Sequence, residues 1–168
     1  KIWKGLKEFS DVGLINQPST KMFLAQPQGC SPIVSAYIAD QKIVPPVIPD
    51  TLAKSLAIGN PASGPFALET ISETNGAAVA TPEEEIVAGI ELLAETEGIF
   101  TETAGGVVVS SLKKLAENGD IGPDEVTIIF ITGNGLKTQE VVTGGVKLVK
   151  TGPTFSEFED LIGSEANF

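Results

Sequence analysis

A chain of 168 residues, 42% of them hydrophobic, has the length of one domain and enough apolar mass for a sizeable core. Its net charge of −11, with all eleven basic residues lysine and neither arginine nor histidine, disfavours nucleic acid and excludes a histidine base or metal ligand. The single Cys30 excludes an internal disulfide or a cysteine metal cluster, and no apolar run reaches the roughly 18 residues of a membrane span. No secretory signal pattern opens the chain, so it reads as soluble and cytoplasmic. Chemistry therefore falls to hydroxyls, lysines, carboxylates, backbone amides or a borrowed cofactor.

In chain order, residues 1–14 carry Ile2, Leu6 and Phe9 at helical spacing with charges opposite, but no capping residue precedes them. Either the helix is entered after its start or its first turn frays. Met22 to Ala25 reads as a strand, followed by a helix capped by Ser31 with Pro32 in its first turn. The proline-rich 43–49 segment is a loop, and Asp50 caps a short helix through Leu56. A helix from about Phe66 to Glu73 stops at Asn75-Gly76, and Ala77 to Ala80 is a short strand.

Thr81-Pro82-Glu83-Glu84 has the form of a capped helix start, and the acids suit the positive end of a helix dipole. Ile86, Ile90 and Leu93 mark the buried face before Gly98. The next helix follows Thr103 with Val108, Leu112 and Leu115 inward. Val126 to Ile131 runs apolar without alternation, the pattern of a strand covered on both faces of a parallel sheet. A hairpin around Gly144-Gly145 and a helix near Ser156 to Ile162 close the chain. The class is α/β, with a three-layer parallel sheet. About three short strands under so many apolar helices imply more sheet than this chain supplies.

The exit of the last strand, Thr132-Gly133-Asn134-Gly135-Leu136-Lys137, is the most informative motif. Ligands of open parallel sheets bind beyond the carboxyl ends of strands, where the Thr132 hydroxyl stands and glycines admit close approach. An ordinary strand-to-turn exit is the competing reading. Lys137 could attract phosphate groups, but a solvated turn lysine is the preferred reading. Glu102 precedes Thr103 and the small residues Ala104-Gly105-Gly106, which suits either a pocket floor or a helix cap. Gly59-Asn60-Pro61-Ala62-Ser63 is a rigid loop, lining a site or simply turning the chain. Cys30, Trp3 and Tyr37 read as packing residues, and no metal site is expected.

Taken in order, Trp3 to Phe9, Gln28 to Val34, Thr51 to Ala53, Ile58 to Ser63, Glu97 to Glu102 and Thr132 to Lys137 resemble the threonine synthase family. These are pyridoxal-phosphate enzymes of the tryptophan-synthase-β-like fold, fold type II. The resemblance covers roughly residues 1–140, which it makes the C-terminal part of the large cofactor-binding domain, with 141–168 a tail carrying a short helix. It implies that the phosphate loop and the Schiff-base lysine lie upstream, so no catalytic residue is expected here and this chain alone is expected to be inactive. It also implies that Thr132 meets the cofactor's pyridine nitrogen, that Gly133, Asn134 and Glu102 shape that edge, and that 59–63 lines the pocket. Thr103 and Gly105 replace residues that are often proline and serine in the family.

The activity so implied is conversion of O-phospho-L-homoserine and water to L-threonine and phosphate, by a cytoplasmic enzyme that is homodimeric at full length. Arginine suits a phosphate dianion, and its absence here assigns the substrate-phosphate clamp to the other part of the protein. A threonine or serine dehydratase of the same fold is the alternative enzyme. A binding module that kept the fold without catalysis is the alternative outside enzymes.

Overall fold

The computed structural model describes residues 1–145 and 150–164. Its helices are α1 (Ile2–Asp11), α2 (Pro32–Ile38), α3 (Gly64–Glu73), α4 (Glu83–Glu97), α5 (Thr103–Glu117) and α6 (Phe155–Ser164). Two strands, β1 (Leu24–Pro27) and β2 (Ala78–Thr81), pair in parallel with Leu24 opposite Ala78 and Pro27 opposite Thr81.

Successive residues of a strand face opposite sides of the sheet, and here that alternation builds three layers. Leu24 packs with Ile33, Ala36 and Val44 on the side of α2 and α3. Its neighbour Ala25 packs with Ala53, Ile86 and Val107 on the side of α4 and α5. Ile86 and Val107 are fully buried, each contributing about 1.5–3 kcal/mol by leaving water. α4 and α5 meet where Gly106 faces the Ile86 carbonyl, and a Cβ there would overlap that oxygen. The fold is therefore α/β with helices on both faces of a parallel sheet, as the sequence pattern implies.

Several local features differ from the sequence expectations. Ser31 does not cap α2: the strand residue Gln26 does, its Oε1 accepting from the Ile33 and Val34 amides at 3.0 and 3.1 Å. Asp50 starts no helix, and only a 3₁₀ turn forms at Lys54–Leu56. The amide of Leu52 and the hydroxyl of Thr51 are held instead by the Glu83 carboxylate, at 2.8 and 2.9 Å. The same carboxylate accepts from the Gly29 amide at 2.9 Å, so Glu83 ties two loops to the start of α4. Thr81 belongs to β2 and is not a cap; its buried hydroxyl bonds the Val107 carbonyl and Ser111 Oγ. On α5 the buried face is set by Val107, Ser111 and Leu115, while Val108 and Leu112 are half-buried.

Two larger departures concern apolar surface. α1 buries no residue, and Ile2 and Phe9 of its apolar face are about half exposed. The 126–131 segment forms no strand, and Val126 is 95% and Ile128 76% exposed. Its pattern is that of an interior strand, and neighbours to cover it are lacking among the described residues. The expected hairpin is a 3₁₀ turn at Thr143–Gly145, and the residues that would complete it lie outside the described set.

Candidate functional site

The 132–138 turn is held against the start of α5 by contacts from both backbone and side chains. Phe100 and Thr101 run antiparallel to it, with Thr101 bridged to Asn134. The Glu102 amide and the Thr101 hydroxyl both donate to the Gly133 carbonyl at 3.1 Å, and the Gly135 amide donates to the Phe100 carbonyl at 3.0 Å. Asn134 Oδ1 accepts from the Leu136 amide at 2.9 Å, which starts the 3₁₀ turn Gly135–Lys137. Side chains of this length commonly fold back on the backbone in this way to fix a turn.

Gly133 lies directly over the Glu102 side chain, where a Cβ would fall inside the carboxylate. A larger residue here would have to displace the Glu102 side chain. Glu102 itself is 4% exposed, and Lys137 Nζ reaches both of its oxygens at 3.0 Å. Lys137 keeps a side chain 58% exposed, as expected of a turn lysine, and in addition pairs with a buried carboxylate. The Thr103 amide, available because this position is not proline, donates to Thr138 Oγ1 at 3.2 Å. The Thr103 hydroxyl is buried and without a partner among the described residues.

The structure thus brings together Thr132, Gly133, Asn134 and Glu102. Thr132 is exposed, and no hydrogen bond engages its hydroxyl among the described residues. The other expected group, Gly59, Asn60, Pro61, Ala62 and Ser63, stands apart: the Gly59 carbonyl accepts from the Val47 amide, Pro61 from Gly64 and Ser63 from Ala67, and no hydrogen bond of the loop reaches the 132–138 turn among the described residues. Near that loop, Cys30 is buried, and burial raises its thiol pKa above the usual value, with an Ile58 backbone hydrogen bond opposing. An inert, small packing residue fits that environment.

Sequence reasoning missed Lys137, Thr138 and Thr101 as parts of the cluster. Thr101 and Lys137 are 36 positions apart in the chain, and local spacing carries no signal for such a contact. The turn is an open edge, presenting one neutral hydroxyl beside an ion pair. A hydroxyl both donates and accepts, so Thr132 can bond a pyridine nitrogen in either protonation state. This edge fits the ring of pyridoxal phosphate, whereas the described residues here give no arginine or free glycine-rich helix start for its phosphate.

Comparison with known proteins agrees with this chemistry. The chain is 44% identical over 137 residues to a threonine synthase of Methanocaldococcus jannaschii, covering 81% of this chain and 34% of that protein. A threonine synthase of Methanosarcina acetivorans is 39% identical over 142 residues, covering 84% and 35%. The chain thus spans about a third of the length of the curated relatives it matches. Among solved structures, maize serine racemase superposes with a TM-score of 0.56 at 15% identity, over 85% of this chain and 43% of that one, and shares the fold. Residues 2–133 match the profile of the pyridoxal-phosphate dependent enzymes, and the chain belongs to that family.

Proposed function

We propose that this chain is the C-terminal portion of a threonine synthase, which converts O-phospho-L-homoserine and water to L-threonine and phosphate. The observation that carries this reading is the 44% identity to a threonine synthase over 137 residues. Residues 1–140 then form the C-terminal part of the large cofactor domain, and 141–168 a tail that includes α6. The exposed, non-alternating apolar run at 126–131 supports the reading of a partial domain, because a run of that kind suits the interior of a parallel sheet.

Pyridoxal phosphate, when bound, supplies an electron-withdrawing ring that acidifies C–H bonds of an attached amino acid. Thr132 would hold the ring nitrogen, and its neutral hydroxyl would leave that nitrogen's proton to be set by the surroundings. Gly133 and Asn134 would shape the ring edge, and Glu102 would support it from beneath. In the overall reaction the substrate's phosphate departs from the γ carbon and water adds at the β carbon. The substrate-phosphate clamp and the lysine that moves protons belong, in this reading, to the part of the relatives this chain does not span. We place the enzyme in the cytoplasm and expect a homodimer.

The test is to express the full-length product of the gene and supply O-phospho-L-homoserine. Equimolar L-threonine and phosphate support the proposal. Conversion of L-serine or L-threonine to a keto acid and ammonia, with no phosphate release from O-phospho-L-homoserine, would replace it with the dehydratase reading. The 168-residue chain alone is expected to show neither reaction.

A further inference from the structure

We propose that Lys137 is a positioning residue: its ion pair with the buried Glu102 holds the 132–138 turn at the height at which the Thr132 hydroxyl is presented. The inference rests on the reading of Thr132 as the contact to the cofactor ring.

Five links join the start of α5 to this turn. Four need no charge: Glu102 N–H and Thr101 O–H to the Gly133 carbonyl, Gly135 N–H to the Phe100 carbonyl, and Thr103 N–H to Thr138 Oγ1. The fifth is the Lys137–Glu102 pair, in which Nζ lies 3.0 Å from each carboxylate oxygen. The two partners are unequal, since the side chain of Glu102 is 5% exposed and that of Lys137 58%. Alone, an exposed lysine contributes little. The buried carboxylate is the vulnerable partner, because without Lys137 its charge loses its counter-ion away from water.

Without its counter-ion the carboxylate is driven to turn toward water. Gly133 sits against it, so near that an added Cβ would overlap the carboxylate, and the turn therefore lies beside the path of that movement. Thr132 is the residue immediately before Gly133 and moves with it. The pairing also removes Lys137 as an anion site: its charge is balanced by Glu102, so it is not a free clamp for a substrate phosphate.

The test uses the full-length gene product carrying Lys137→Met, Lys137→Arg, Glu102→Gln or Thr132→Ala. Two quantities are read: pyridoxal-phosphate affinity with the absorption spectrum of the bound cofactor, and amide hydrogen exchange at Glu102 and across 132–138. Lys137→Met is expected to weaken cofactor binding about tenfold, a modest share of what unpairing a buried charge can cost after allowance for the exposed lysine. It should speed exchange at Gly135 and Glu102, whose amides bond between the start of α5 and the turn, while leaving α4 unchanged, and Lys137→Arg should restore both. Glu102→Gln guards against misfolding of the lysine variant; it removes the buried charge, so adding Lys137→Met to it should cause no further loss. Wild-type affinity and exchange in Lys137→Met, alongside weakened binding in Thr132→Ala, would overturn the role of Lys137 alone. Wild-type affinity and spectrum in Thr132→Ala would overturn the site reading and this inference with it.

Discussion

β2 and the 126–131 segment are both short and apolar, yet only β2 forms a strand and only β2 is covered. β2 pairs with β1, and its Val79 and Thr81 are buried against the helices. The later segment is richer in β-branched residues but leaves Val126, Ile128 and Phe130 exposed at 95%, 76% and 54%. A strand's own residues prescribe burial, but neighbouring strands and helices provide it. The difference lies in neighbours, which β2 has and 126–131 lacks among the described residues, and the uncovered segment ends at the candidate site.

The strongest way to break this comparison is to truncate one side chain from each region. Ile86→Ala, at a fully buried position, should cost about 2–5 kcal/mol in a urea titration of this chain. Ile128→Ala should change the same titration by less than about 0.5 kcal/mol, because its side chain is already in water. In the full-length gene product Ile128→Ala should instead behave as a core truncation. Equal, negligible effects in both contexts would remove 126–131 from any sheet interior.

A smaller effect separates polar burial in the two regions. Thr81→Val keeps the volume but leaves Ser111 Oγ without its 2.7 Å partner in a buried setting. A loss of about 1–3 kcal/mol should follow. Thr127→Val, on the exposed segment, should be neutral in this chain.

The smallest effect depends on pH and lies at the surface. The Trp3 indole and Lys7 both bond the Glu73 carboxylate and hold its pKa below the usual range, the indole hydrogen bond being the larger cause. A depressed folded pKa means that the contact contributes above the unfolded carboxylate value and is lost as pH falls through the folded one. Trp3 is the sole tryptophan. Its fluorescence should stay constant from neutral pH down through the ordinary carboxylate range and shift only below it, and Glu73→Gln should abolish that acid step.

The parts of the fold that were legible in the sequence are those set by local periodicity. Ile86, Ile90 and Leu93 are buried on α4, Gly98 ends that helix in the left-handed conformation, and α6 brackets the expected Ser156 to Ile162. The hydrogen bonds that cross between elements were not legible. Gln26 caps α2 from within a strand, and Glu83 reaches 54 residues back to Gly29, so neither partner is marked by spacing. At the site, Thr132 and its glycines stood out because a strand exit is a local pattern. The Glu102–Lys137 pair needed the fold to bring positions 35 residues apart into contact.

The central claim is that the edge at Thr132 receives the ring of pyridoxal phosphate, and the most direct measurement compares two threonines in the full-length gene product. Thr132→Ala and Thr127→Ala remove the same atoms five residues apart in the same stretch of chain. Titration with pyridoxal phosphate, followed by the absorption of the bound cofactor, should show weakened binding of about tenfold and an altered spectrum for Thr132→Ala. Thr127→Ala should match the unsubstituted protein. Equal effects of the two substitutions would contradict the account and take Thr132 out of the site.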